Sequence, residues 1–475
     1  MLTFKSRDNN KIMKKIILIV VLIFSFQNNL LAEDYETQDF SKFNQWLLEN
    51  NYSQYLRGEG GKFDICTLYK KNSDAWLNEE CGNYPEGKMR LMNNLKIETY
   101  GSRWAIPSKK DPKNRDTLIY YNYKNLFSHF NGDSNTYQFG RYEAKPSSKI
   151  YKFNNNAKEN KFVQKEMQKK AILSYLYFQD DQILIDELTP KDRFGDFVKN
   201  ETKLRSNSVG KSMVSVVLGH AICEGYIESL DSKINDWPML KNTLYDNQKI
   251  IDFLNMNVGD YKYINDGGPV KDYSYDVDTK SIHATINSFF RNSEKAKPKY
   301  NYTQFLPNVI FNYVKFKSGN DFQNLLDKAF QKAGIENSVY FNKLKDSVEH
   351  GNAHNMFFAS RYDYLRIAKS IIDDYQNDTC LGKYYKEIYK QRIEKKNKGT
   401  KHEDPPFSPG KSYGGYFHMD YTGLKDKVIF GMSGYGGNTL IMDMENSRIV
   451  VLNSIHWSNK KYKYNVKKLL IEPFK

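Results

Sequence analysis

Between Ser206 and Gly225 the chain reads Ser206-Asn207-Ser208-Val209-Gly210-Lys211 and then carries Met213, Val214, Val216, Val217, Leu218, Ala221 and Ile222. At helical spacing these residues are apolar around most of the circumference, so the helix they form must be buried between layers of other structure. The Asn/Ser start supplies a cap signal and Gly225 a stop. A chain built around such a helix needs a layered fold.

The flanks say what the layers are. Ile172, Ser174 to Phe178, the turn Gln179-Asp180-Asp181-Gln182 and Ile183 to Ile185 read as a β-hairpin. From about Asn235 to Thr400 the pattern is mostly helical, with apolar spacing over Ile250 to Met256, Asn308 to Phe316 and Phe322 to Ala333. Ser360-Arg361-Tyr362-Asp363 forms a capping box ahead of Leu365, Ile367 and Ala368. After Pro405 to Gly410 the strand pattern returns over Gly414 to Met419, Lys427 to Gly431, Thr439 to Met444 and Ile449 to Ile455, and a last short helix is expected over Val466 to Ile471. A hairpin, a buried helix, a helical middle and terminal antiparallel strands make an α+β architecture in which sequence-distant strands share one sheet. A cleft between sheet and helical middle is where a site is expected.

With 475 residues, 40% of them hydrophobic, the chain can bury one large core or several ordinary ones. Thirty-six Tyr and 29 Phe exclude disorder, and a mean hydropathy of −0.72 excludes a multi-span membrane protein. The single long apolar run, Ile16 to Phe26 behind Lys14 and Lys15, has the length of a signal-peptide core. With Met13 as the expected start, residues 1–32 read as a signal peptide with cleavage near Glu33, a retained N-terminal anchor being the other reading, and the mature protein as periplasmic or secreted. The formal charge is +15; the leader holds five basic residues against Asp8, which leaves +11 for the mature chain. That balance suits an anionic cell-envelope surface, and AT-rich coding of Lys, Asn, Ile and Tyr gives the same bias. No basic run with interleaved aromatics marks a nucleic-acid stripe.

Residues 33–165, rich in Asn, Lys, Tyr and Gly, read as an N-terminal extension without an assignable fold, and 166–475 as the main domain. Of the four cysteines, Cys66 and Cys81 are the expected disulfide pair in an exported chain, while Cys223, inside the apolar helix pattern, reads as a small core residue. His350 and His354 have i,i+4 metal spacing, but Gly351 and Asn352 weaken the helix between them and no third ligand is near.

Ser-x-x-Lys occurs three times, as Ser208/Lys211, Ser408/Lys411 and Ser458/Lys461. Ser408 runs into Pro409-Gly410 and Ser458 lies in a polar Lys-rich turn; only Ser208 opens an apolar helix. On a first helical turn, positions i and i+3 share a face, so the Lys211 amine can approach the Ser208 hydroxyl beside the N–H groups of the helix start. A serine becomes a nucleophile when such a base accepts its proton, and lysine is a base only where burial disfavours its ammonium form. In isolation the same pattern also describes an N-cap serine followed by a surface lysine.

In context the chain resembles the serine β-lactamase and penicillin-binding-protein superfamily, in its class C β-lactamase-like branch with esterases and 6-aminohexanoate-dimer hydrolases. The resemblance spans roughly Ile172 to Ile455. It rests on Ser208-Val209-Gly210-Lys211, on Ala221 to Ile227 running into Ser229 to Ile234, on Ile251 to Gly259, and on Ala359 to Leu365. It implies a β-lactamase/transpeptidase-like fold: an antiparallel sheet flanked by helices with an all-helical insertion. It also implies an acyl-enzyme mechanism without cofactor or metal, on a small-molecule or peptide ester or amide. The family's Tyr-x-Asn is matched by Tyr302-Thr303-Gln304, where Gln304 stands for the usual Asn and Tyr300 is a rival for the tyrosine. The third motif, a Lys or His, a small residue and Gly, is matched by Met432-Ser433-Gly434 ahead of Tyr435-Gly436-Gly437. There a strand N–H, from Tyr435 or a neighbour, would join the Ser208 N–H in an oxyanion hole. Met432 in place of the cation favours esters and other amides over penicillins. The other reading of Gln304 and Met432 is a non-catalytic protein of the same fold that binds a cell-wall or surface partner.

Overall fold

The computed structural model describes residues 98–100, 104–106, 139–170, 172–191, 198–264, 268–270, 282–344, 353–395, 410–434, 437–454 and 464–475. The expected signal peptide and the Cys66/Cys81 pair lie outside them. Strands β1 (Glu98–Tyr100) and β2 (Trp104–Ile106) pair with each other. They are followed by β3 (Phe139–Ala144), β4 (Asn154–Asn155), helix α1 (Lys161–Lys169), β5 (Ile172–Gln179), β6 (Gln182–Leu188), β7 (Leu204–Arg205) and α2 (Val209–Cys223). The middle contains β8 (Lys233–Ile234), β9 (Gln248–Lys249), α3 (Ile250–Leu254), α4 (Ile282–Phe289), α5 (Phe305–Ser318), α6 (Phe322–Gln331), β10 (Val339–Leu344) and β11 (Ala353–Ala359). Then come α7 (Arg361–Gln376), α8 (Cys380–Lys390) and β12 (Ile393–Glu394). The last strands are β13 (Gly410–Gly414), β14 (Phe417–Tyr421), β15 (Ile429–Gly434), β16 (Asn438–Asp443) and β17 (Arg448–Ser454), ahead of a helical turn over Lys467–Ile471.

One sheet runs β12-β13-β14-β15-β16-β17-β5-β6-β4, antiparallel except where β4 joins β6. The amino-terminal hairpin β5–β6 thus sits against β17 from the far end of the chain, Leu176 opposite Val451. Period-two alternation splits its side chains between two cores. Leu176, Leu440, Met442 and Val451 face the main core around α2, while Tyr175, Ile441, Val450 and Leu452 face α1 and the C-terminal turn through Val163, Met167 and Leu470. The hairpin turn places Asp180 and Asp181 at φ 48° and 60°, left-handed values that aspartate tolerates better than most residues.

Helix α2 is the central layer. Every residue from Val209 to Ala221 is buried, as its all-round apolarity requires. Helix α8 lies so close that a Cβ on Gly219 would fall 2.9 Å from the Tyr384 ring.

Four sequence expectations change in detail. Cys223 is not a lone core residue: it ends α2 where α8 begins and is disulfide-bonded to Cys380, with Cα atoms 5.9 Å apart. The stretch Gly414 to Met419 is not one strand: it crosses from β13 to β14 through a turn at Gly415 and Tyr416, at φ 61° and 65°. Within the middle expected to be all-helical, β10 and β11 form a second antiparallel sheet, β3-β10-β11-β7. The position 165/166 lies inside α1, so β3, β4 and the start of α1, from the segment taken as an extension, are built into the same body. His350 lies outside the described residues, and His354 belongs to a strand rather than a helix.

Candidate active site

Three pieces of chain meet at the start of α2. The first is the turn that delivers Ser208. Ser206 is pinned to β11 by its backbone N–H, which donates to the Phe357 carbonyl at 2.8 Å, and by its Oγ, which accepts from the Phe357 N–H at 3.1 Å. Asn207 follows at φ 50°. Ser208 makes no side-chain capping bond to α2. Instead Lys211 Nζ, one turn along, donates to Ser208 Oγ at 3.0 Å. Lys211 is fully buried, which excludes the reading of a cap serine with a surface lysine.

The second piece is the segment before α5. Lys211 Nζ also donates to Gln304 Oε1 at 2.5 Å, and the Tyr302 ring centroid lies 4.8 Å from the same nitrogen. The extra methylene of Gln304 relative to asparagine therefore still lets the amide reach the lysine. Between the two rival tyrosines the geometry differs: Tyr302 flanks Lys211, whereas Tyr300 is buried, with its ring 5.4 Å from Tyr413. Tyr413 of β13 also meets Tyr302 edge-on at 6.0 Å, which makes β13 one wall of the site.

The third piece is the end of β15. A Cβ on Gly434 would stand 2.2 Å from the Ser206 carbonyl oxygen and 3.2 Å from Ser208 N, so only glycine lets the strand come this close to the serine turn. Ser433 beside it is partly exposed and pairs with Thr439 of β16. Tyr435, one of the residues whose N–H could complete an oxyanion hole, lies outside the described residues. Met432 is fully buried in the main core, so this position offers the site no cation. Of the other two Ser-x-x-Lys pairs, Ser408, Ser458 and Lys461 lie outside the described residues and Lys411 is on β13.

Sequence reasoning missed the support beneath the second piece. Asp260 is fully buried and accepts from Asn301 Nδ2 at 2.8 Å and from the Tyr245 hydroxyl at 3.3 Å; burial pushes its carboxyl up to about 6. Its signal in the sequence is only a carboxylate directly after the Ile251-to-Gly259 stretch. Among the described residues no group of three or more His, Cys, Asp or Glu side chains is arranged to hold a metal ion.

No family model and no curated protein matches the chain. A solved structure from Bacillus anthracis, described as a 6-aminohexanoate-dimer hydrolase, superposes with a TM-score of 0.52 at 13% identity, over 73% of this chain and 92% of that one. The chain has a β-lactamase/transpeptidase-like fold. Looser likenesses within this fold are EstCE1, a hydrolase with promiscuous acyltransferase activity, and a Bacteroides dorei protein described as a β-lactamase. EstCE1 aligns at TM-score 0.49 and 13% identity over 66% of this chain and 96% of its own. The Bacteroides dorei protein aligns at 0.48 and 12% over 63% and 92%. In this chain the start of α2, the segment before α5 and the end of β15 come together at Ser208.

Proposed function

We propose that the chain is an exported serine hydrolase that cleaves an ester or amide bond through an acyl-enzyme intermediate. The observation that carries this reading is the buried Lys211 amine held between Ser208 Oγ at 3.0 Å and Gln304 Oε1 at 2.5 Å. Burial disfavours an ammonium ion, the condition a lysine base requires. In the reacting state of this reading the neutral amine keeps one N–H on Gln304 and, reversing its bond to Ser208, accepts the hydroxyl proton on its lone pair.

The steps balance as follows in this reading. Ser208 Oγ adds to the substrate carbonyl carbon as its proton passes to Lys211 Nζ. The negative charge on the carbonyl oxygen is met by the Ser208 N–H and by an N–H from the strand end at Ser433, Gly434 and Tyr435. The tetrahedral adduct collapses, the C–O or C–N bond breaks, and the leaving group takes the proton from Lys211, with Tyr302 sharing the transfer. Water then attacks the acyl group with Lys211 as base again, and Ser208 recovers its proton.

The residue at position 432 supports a substrate class. With Met432 buried where a cation would grip a carboxylate, neutral acyl groups of small esters, amides or peptides fit better than penicillins. The leader-like residues 1–32 and the Cys223–Cys380 disulfide support an oxidising, extracytoplasmic location, where the mature charge would favour an anionic envelope surface. Turnover of p-nitrophenyl acetate and butyrate and of an acyl p-nitroanilide, set beside benzylpenicillin, tests this. Ester or amide turnover without penicillin turnover is expected. Penicillin turnover at a comparable rate would overturn the substrate assignment, and no turnover of any of them would overturn the hydrolase reading in favour of a binding protein.

A further inference from the structure

We propose that Asp260 is a positioning residue that fixes the Tyr302–Gln304 segment against Lys211. This rests on the hydrolase reading above and goes beyond it by assigning a role to a residue outside the three motifs.

A carboxyl group with no solvent exposure is retained only where hydrogen bonds compensate its burial. At Asp260 one oxygen takes the Asn301 amide at 2.8 Å and the other the Tyr245 hydroxyl at 3.3 Å. Asn301 directly precedes Tyr302. The same loop grips this segment along its length: Asn301 N donates to the Met256 carbonyl at 2.8 Å, Thr303 N to Met256 Sδ at 3.1 Å, and Ala296 N to the Gly259 carbonyl at 3.0 Å. Gly259 sits at φ 78°, and a Cβ there would be 2.3 Å from the Ala296 carbonyl oxygen, so the two segments are in backbone contact.

The loop is anchored in turn to the other walls. Asn255 Oδ1 accepts from Gly415 N at 3.1 Å, and its amide donates to the Gln391 carbonyl at 2.7 Å. Tyr416 N donates to the Leu254 carbonyl at 3.0 Å, and the Tyr416 carbonyl accepts from Ser212 Oγ of α2 at 2.6 Å. Residues 254–260 therefore tie the turn of β13–β14, helix α2 and the Tyr302 segment into one frame. At Asp260 a buried side chain, through Asn301, adds to this backbone and thioether grip on the segment. Gln304, whose amide holds Lys211, lies three residues beyond the clamp.

The test is the second-order rate of fluorophosphonate labelling, measured per folded molecule by intact mass, together with thermal unfolding. Asp260→Ala is expected to label about tenfold more slowly or worse, the size of one misplaced catalytic contact. Asp260→Asn should stay within about threefold of wild type, because its oxygen can still accept from Asn301 and its amide can donate to Tyr245. In a Gln304→Ala background the Asp260→Ala penalty should shrink, since the two changes remove the same placement. Should Asp260→Ala not fold, Asn301→Ala carries the same expectation. Unchanged labelling by Asp260→Ala or Asn301→Ala at a lowered melting temperature, or a fully additive double variant, would overturn the positioning role alone. A wild type that does not label would instead overturn the hydrolase reading on which it rests.

Discussion

Lys211 Nζ and Ser208 Oγ stand 3.0 Å apart on the first turn of α2, inside a helix with no exposed residue between Val209 and Ala221. The i,i+3 spacing brings the two groups to one face, and burial of the lysine separates this pair from an ordinary capped helix start. The strand end at Gly434 and the Gln304 amide then close on the pair from two sides.

Lysine chemistry and lysine charge can be told apart here. Lys211→Ala should lower labelling and turnover by about a thousandfold, within the range for a lost general base. Lys211→Arg should not restore them, because guanidinium keeps the charge but does not deprotonate. Recovery of activity in the arginine variant, in steady-state assays at pH 7 to 9, would assign Lys211 an electrostatic role only.

Gln304→Ala should cost about ten- to a hundredfold in kcat, matching the roughly 1–3 kcal/mol of a buried donor left unpaired. The measurement is kcat and KM on the same ester. A change confined to KM would place the amide on the substrate rather than on Lys211.

Gly434→Ala puts a methyl group 2.2 Å from the Ser206 carbonyl oxygen, so β15 or the serine turn must move. Loss of fluorophosphonate labelling is expected in a protein that still unfolds cooperatively. Labelling at the wild-type rate would show that the strand end does not frame the serine.

The Cys223–Cys380 bridge closes a sequence separation of 157 residues between α2 and α8. Chain-entropy arguments put its upper contribution at about 5 kcal/mol, with about 2–4 typical. The double Cys→Ser variant should therefore show a clearly lower urea midpoint than the oxidised protein. Dithiothreitol should lower the wild type by more than it lowers the variant.

The two buried titrating groups His220 and Asp260 act in opposite directions. Burial first, then the neighbouring Lys332, depresses His220 to about 4, while burial raises Asp260 to about 6. The unfolded chain binds a proton at His220 more readily, so this group's contribution is present above pH 6.5 and is lost as pH falls toward 4. The folded chain binds a proton at Asp260 more readily, so its contribution is present below the unfolded value near 3.8 and is lost as pH rises through 6. Each effect is about 3 kcal/mol at most, and they offset each other between pH 4 and 6. Urea midpoints across that range should fall with rising pH in His220→Gln and fall with dropping pH in Asp260→Asn, relative to wild type. Two variants with the wild-type profile would contradict both assignments.

What the sequence disclosed was local. The β5–β6 turn has its Asp-Asp pair, α2 its apolar circumference, and the strands β15 to β17 their alternation. The Cys223–Cys380 pairing was not legible, because only the packing of α8 on α2 brings the two helix ends together. The β13–β14 turn was hidden by Tyr416, a residue with no left-handed preference that is held there by Leu254 and Ser212. Strands β10 and β11 were masked by their pairing with β3 and β7, far away in sequence. At the site, residue types and order placed Ser208, Lys211 and the 300–304 segment, but the choice of Tyr302 over Tyr300 and the reach of Gln304 needed three dimensions. Asp260 escaped because a single aspartate after a glycine carries no pattern.

The central claim is that Ser208 is an activated nucleophile. Intact mass after incubating the protein with a fluorophosphonate tests it directly, with Ser208→Ala treated alongside. One adduct on the wild type, located at Ser208, and none on a folded Ser208→Ala variant is the predicted result. An unmodified wild type, or an equal adduct on the alanine variant, would contradict the account.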